Sequence, residues 1–257
     1  MLLGRQFYRA KRRVAWVFDR RPLAKKRQGI FAHTVFVHQT PLLRQLRNVD
    51  MALQHNKIIN LKLAVPNVDG VVIAPGEVFS YWRLIGNPTR RKGYQPGMVL
   101  HTGGFRPGVG GGLCQLSNLI FWMTAHTPLT VIERHRHGYD VFPDANRTQP
   151  FGSGATCSYN YLDLCIRNDT PYIFCLSVSL TETHLQGRWL CDQPLPYTYE
   201  LYETNHRFQS EYWGGFSRHN ELRRKTLNQQ GQIVSDDYFI ENHAIMMYSP
   251  LLPQAQE

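Results

Sequence analysis

Gly108-Val109-Gly110-Gly111-Gly112-Leu113-Cys114-Gln115-Leu116-Ser117 runs without a break into Asn118-Leu119-Ile120-Phe121-Trp122-Met123-Thr124-Ala125. From Leu119 on, this stretch is apolar on every side of a helical wheel, which marks a helix enclosed in a core rather than lying on a surface. The glycines before it let the backbone turn sharply and approach another group closely. His126-Thr127-Pro128 stops the helix.

The flanking sequence supplies sheet. Upstream, Thr34 to Val37 reads as a first strand, and Pro41 opens a helical stretch from Leu42 to about Ala64. Val71-Val72-Ile73 is a short buried strand before the turn Ala74-Pro75-Gly76, and Met98-Val99-Leu100 with the residues beyond Gly103-Gly104 forms a hairpin. Downstream, Leu129 to Glu133 is a strand. The chain then becomes β-rich, with short strands at Thr156–Tyr161, Asp163–Arg167, Ile173–Ser179 and Arg188–Cys191. Residues 197–248 add more, turning at Asn228-Gln229-Gln230-Gly231. The expected architecture is α+β: antiparallel sheets with a few helices, one of them buried and starting at the glycine-rich cysteine motif. Three regions are expected: a basic arm at 1–29, a main domain at 30–195, and a β-rich extension at 196–257 packed on the same domain.

Charge is concentrated at one end. The chain has 257 residues and a net charge of +10. Residues 1–28 hold ten basic side chains and one acid, Asp19, while the other 229 hold 19 basic and 18 acidic groups. A nearly neutral body does not imply a nucleic-acid surface. In the arm, Phe7, Ala10, Val14 and Val17 fall at steps of three and four, with bases crowding the other face. That is either a helix for an anionic membrane surface or a solvated basic arm. Pro22 ends any such helix. The run Val14–Phe18 is too short for the apolar part of a signal peptide, and no apolar run exceeds five residues, well below a bilayer span. The expected location is cytoplasmic, or peripheral to the inner membrane face.

Cys114 is the leading candidate for chemistry. At a helix N-terminus, uncommitted N–H groups and the dipole favour a thiolate and lower its pKa. The amides of Cys114 and Gln115 can stabilise an oxyanion. His135 and His137, two apart after a strand, can share a face and act as base. His126 and His101 are weaker candidates. Other readings stay open: a buried structural cysteine, a zinc site on Cys114, His135 and His137, or a phosphate cradle, although the loop lacks a Walker lysine. No metal or cofactor is expected, and five cysteines without C-x2-C spacing are expected to be reduced thiols.

Taken together, Gly76-Glu77-Val78-Phe79-Ser80, Gly93-Tyr94, the Gly110–Ser117 motif, Glu133-Arg134-His135-Arg136-His137 and Asp163-Leu164-Cys165-Ile166-Arg167-Asn168 resemble the VanW family, over roughly residues 30–195. The resemblance implies a link to peptidoglycan and glycopeptide resistance. Some secreted members are similar to L,D-transpeptidases, which implies a cysteine-dependent acyl transfer on a peptidoglycan-type peptide or lipid-linked precursor. In that scheme Cys114 is the nucleophile and His137 the base ahead of His135, while Gly111, Gly112, Gln115 and Ser117 line the substrate and oxyanion site. The alternative it leaves is a non-catalytic module that binds a cell-wall precursor or an envelope partner. Many members carry Gly-x-Asp-Ala-Thr where this chain has Gly152-Ser153-Gly154-Ala155-Thr156. If the missing Asp orients the histidine, Asp140 or Asp144 takes its place.

Overall fold

The computed structural model describes residues 2–43, 50–101, 103–141 and 149–250. In chain order it opens with helix α1 (Leu2–Phe18), strands β1 (Lys25–Lys26) and β2 (His33–Pro41), helix α2 (Met51–Val68), strands β3 (Val71–Ile73) and β4 (Val78–Ser80), and the short helix α3 (Tyr81–Ile85). The hairpin β5 (Pro96–His101) and β6 (Gly104–Val109) leads to helix α4 (Cys114–Ala125), followed by β7 (Thr130–Glu133) and β8 (Tyr139–Asp140). The rest is strand: β9 (Cys165–Arg167), β10 (Phe174–Leu180), β11 (His184–Cys191), β12 (Tyr197–Ser210), β13 (Phe216–Asn228) and β14 (Ile233–Met246). Every ladder between these strands is antiparallel except β8 with β14. The fold is α+β, as its sequence pattern implies.

Helix α4 is enclosed: Leu116, Leu119, Ile120, Phe121 and Met123 have essentially no exposed surface. One side rests on β11 and β2, part of a sheet ordered β1-β3-β10-β11-β2. There Trp189 donates Nε1 to Thr124 Oγ1 at 3.1 Å. Gly187 permits the close approach, since a Cβ would lie 2.6 Å from Met123 Cε. Helix α2 packs on β10 and on the β5–β6 hairpin. The small sheet β4-β9-β7 and the long-stranded sheet β12-β13-β14-β8 complete the body. The latter joins α4 through Phe239 stacked on Phe121, 6.3 Å between ring centroids.

Two expectations change. Helix α2 starts at Met51, where Asp50 caps it by accepting the Ala52 N–H at 2.8 Å. The expected start near Leu42 abuts residues 44–49, which lie outside the described residues. The helix also continues past Ala64 to Val68, through Pro66. A proline in the last turn removes one N–H, and Asn67 Nδ2 reaches back to the Leu63 carbonyl at 2.8 Å. Residues 156–161 form no strand. The N–H groups of Tyr161 and Leu162 both return to the Ser158 carbonyl and close a turn. The β-prone tyrosines there instead pack on α1: Tyr159 meets Trp16 and Tyr161 meets Tyr8.

Candidate functional site

The glycines of the motif serve a backbone crossing. Gly111 and Gly97 touch so closely that a Cβ on Gly97 would lie 2.4 Å from the Gly111 oxygen, and one on Gly111 2.2 Å from Gly97 carbonyl atoms. Gly112 has φ +87°, and a Cβ there would meet the Lys57 Cγ at 2.2 Å. Asn60, fully buried in α2, ties the crossing by donating to the carbonyls of Gln95 and Gly111 and accepting the Gln95 N–H. The Gly112 amide donates to Met98. The loop is thereby committed to holding the hairpin against α2.

Cys114 is the first residue of α4. Its Sγ donates to the Cys157 carbonyl at 3.7 Å. By exposed surface Cys114 is half-buried, but the groups packed around its sulfur desolvate it and raise the thiol pKa, outweighing the backbone groups of Cys157 and of Cys114 itself, which pull the other way. The lowering expected from the helix terminus is therefore reversed by desolvation. The Gln115 amide donates to the Gly112 carbonyl at 3.1 Å and is not free for an oxyanion. Its side chain turns away to Thr40 Oγ1 and the Pro41 carbonyl. Ser117 is fully buried and bonds the carbonyls of Cys114 and Ala155.

The relation of Cys114 to the histidines is set by the segment Ala155–Cys157. Ala155 gives its N–H to Asn118 and its carbonyl to Ser117, and Cys157 gives its carbonyl to Cys114, all on the α4 side. Thr156 faces the other way: its N–H goes to the His135 carbonyl at 2.7 Å, and its Oγ1 meets His137 Nδ1 at 2.8 Å. Alternation along an extended ribbon thus puts the sulfur on one side and His137 on the other. Among the described residues no hydrogen bond joins Cys114 to either histidine. Burial, then the Arg134 charge, hold His137 down at about 4. His135 Nε2 pairs with Glu133 Oε1 at 3.0 Å.

The remaining candidates have structural partners. His126 stacks on Phe36 at 3.9 Å, with Nδ1 on the Trp122 carbonyl, and His101 lies exposed at the end of β5. Asp140 pairs with Arg218 and Tyr248, and Asp144 lies outside the described residues. Among the described residues no three His, Cys, Asp or Glu side chains gather as a metal site. All five cysteines are free thiols.

A site that sequence reading missed lies beside β7 and β14. An open cleft of ≈ 460 Å³ is lined by Phe121, Pro128, Arg134, Arg224, Tyr238 and Glu241, among others. Arg134 stacks over Phe121 at 4.8 Å and donates to the Gly152 and Gly154 carbonyls and to Asn242. Arg224 lies over Tyr199 and Phe239 and donates to the Thr127 carbonyl. Neither guanidinium has a carboxylate partner among the described residues. Burial pulls both pKa values down, that of Arg134 to about 10. Arg134 stood in plain view within Glu133–His137. Arg224 sits in the run Arg223-Arg224-Lys225, where only the register of β13 tells which base turns inward.

Residues 56–190 match the family model described as VanW like protein. The chain is 33% identical over 199 residues to the vancomycin B-type resistance protein VanW of Enterococcus faecalis, covering 77% of this chain and 72% of that one. It is 32% identical over 109 residues to the uncharacterized protein YoaR of Bacillus subtilis, covering 42% of this chain and 34% of that protein. No solved structure matches. The match extends through the glycine crossing, α4 and the Glu133–His137 segment, and the chain belongs to the VanW family.

Proposed function

We propose that this protein serves in glycopeptide resistance by binding a peptidoglycan-type peptide or its lipid-linked precursor, without covalent chemistry at Cys114. The link to resistance comes from the name of the Enterococcus faecalis relative. The observation that carries the non-covalent reading is the segment Ala155–Cys157, which takes the Cys114 S–H on one side and His137 Nδ1 on the other, so that the two groups are engaged with it rather than with each other. A thiol raised by burial and without an adjacent base is a poor nucleophile. The cleft fits the binding role. Two guanidiniums partly removed from water, with no carboxylate of their own, favour an anionic ligand such as the free carboxylates of a stem peptide, and Phe121 and Tyr238 offer apolar surface beside them.

Calorimetric titration with a soluble stem peptide tests this. Cys114→Ala should bind as the parent does, and Arg224→Met should bind about tenfold more weakly, the cost of one charge-assisted contact. Loss of binding in Cys114→Ala alone, or an acyl adduct on Cys114 by mass spectrometry, would overturn it.

A second reading, the cysteine-dependent acyl transferase, draws on the position of Cys114 at the opening of α4. It requires the 155–157 ribbon to move so that sulfur and imidazole meet. It predicts that Cys114 reacts with a thiol probe far faster than the buried Cys165, Cys175 and Cys191.

A further inference from the structure

We propose that α1 is a membrane-contact surface: the body grips the helix by its polar side, so that an apolar stripe and flanking bases face an anionic bilayer. On the inner side, Arg9 donates twice to the Tyr159 carbonyl, at 3.1 and 2.8 Å. Arg12 forks onto Glu133. Trp16 packs on Tyr159 with ring centroids 6.2 Å apart, and its carbonyl accepts from Arg83 at 2.9 Å. Residues 9, 12 and 16 share one side of the helix. Phe7, Val14 and Val17 occupy the opposite side and are 64%, 57% and 80% exposed, with Phe18 beside them at 76%.

A helix on a globular body normally buries its apolar stripe and turns its charges to water. Here that order is inverted, which marks the outward face for an apolar exterior. The charges select which exterior. Among the basic residues of this arm, Arg9, Arg12, Arg21 and Arg27 are held by carbonyls or carboxylates. Lys11, Arg13, Arg20, Lys25 and Lys26 are exposed and have no ion-pair partner among the described residues. Lys11 and Arg13 border the stripe on its two sides. Cations around an apolar strip match lipid phosphates at the headgroup level, with the strip entering the acyl boundary. They oppose self-association, which would bring like charges together. No helix of the described residues is long and apolar enough to cross a membrane, so the contact is in the plane of the surface.

The test is co-sedimentation of the full chain with mixed phosphatidylglycerol–phosphatidylcholine vesicles and with pure phosphatidylcholine vesicles. Binding should favour the mixed vesicles and weaken with salt. Val14→Ser with Val17→Ser should lower partitioning at least about tenfold. Lys11→Gln with Arg13→Gln should do so by about 25-fold at low salt, roughly fivefold per charge. Unchanged thermal unfolding in both variants would show that the fold is intact. Equal binding to both kinds of vesicle, undiminished binding by the stripe variant, or a dimer in analytical ultracentrifugation that the stripe variant abolishes would overturn the proposal.

Discussion

Arg12 and Glu133, 121 positions apart in the chain, meet in a forked ion pair in which Nη1 donates to Oε2 at 2.7 Å. The same carboxylate accepts from His135 Nε2 at 3.0 Å and from the Asp163 N–H at 3.2 Å. Glu133 therefore joins the arm, the histidine segment and the segment at Asp163 that leads into β9. Burial pushes its carboxyl pKa up, but the hydrogen bonds from His135 and Arg12 win and hold it at about 2. A carboxylate depressed in the folded state contributes stability above its ordinary value of 4.5, and loses that contribution as pH falls toward about 2. Glu133→Gln should remove about 2–3 kcal/mol at neutral pH, since it leaves Arg12 without its counter-charge. Limited trypsin digestion at Arg13 and Arg20, run at neutral pH, should then accelerate relative to the parent. An arm equally resistant in both proteins at neutral pH would refute the anchoring role.

The glycine crossing makes an ordered prediction. Gly111→Ala drives a Cβ into Gly97 backbone, which has no side chain to swing aside. Gly112→Ala meets Lys57 side-chain carbons and also a positive φ. Gly138→Ala meets nothing within 4 Å. Urea unfolding should rank the losses as Gly111→Ala first, at about 3 kcal/mol or more, Gly112→Ala next, and Gly138→Ala near zero. A small loss at Gly111 would mean that the hairpin and α2 are not held against one another as described.

Burial draws His38, His126, His137 and His243 down, and the shift is largest at His126 and His137. Both His126 and His137 are brought down to about 4, chiefly by desolvation. The unfolded chain has ordinary imidazoles near 6.5, so between those values it binds protons that the folded chain does not. Stability should therefore be full above pH 6.5 and fall as pH drops toward 4, by on the order of 2–3 kcal/mol per ring. His137→Gln keeps a partner for Thr156 Oγ1 but has no titrating group, so it should remove one ring's share of that slope. Denaturant midpoints measured across this range provide the check, and a slope unchanged in His137→Gln would show that the ring is hydrated.

What could be read from the sequence was local. The apolar run after Ser117 fixes α4 as enclosed, because no orientation of those side chains leaves a wet face. The stripe Phe7, Ala10, Val14 and Val17 gives a helix, yet its outward direction depends on Glu133 and Tyr159, far along the chain. The glycines announce a close approach, but the partner, Gly97, is set by how the hairpin folds back. The helical stretch expected from Leu42 to Ala64 covers most of α2, but β2 runs on to Pro41 and the helix starts at Met51, where Asp50 caps it. Residues 156–161 mislead because tyrosines favour strands and also favour packing under a helix. The spacing of Cys114 and His137 is silent about the ribbon that runs between them, since Ala155–Cys157 enters from a distant part of the chain.

Gly154 stands where the family resemblance implies an aspartate, in Gly152-Ser153-Gly154-Ala155-Thr156. A Cβ at this position would lie 2.7 Å from Asn118 Oδ1, the atom that accepts the Ala155 N–H at 2.8 Å. An aspartate would press a second acceptor against that oxygen and pry the ribbon from α4. Gly154→Asp should therefore cost about 2 kcal/mol, from crowding and from a weakened Asn118–Ala155 bond. Asn118→Ala should cost about 1 kcal/mol by leaving the Ala155 amide unpaired. The double variant should lose less than the sum of the two, with a coupling of at least about 0.5–1 kcal/mol, because the alanine makes the room that the aspartate needs. Strict additivity in urea unfolding would mean that the aspartate turns away from Asn118, and the absence of Asp at this position would then need an explanation other than packing.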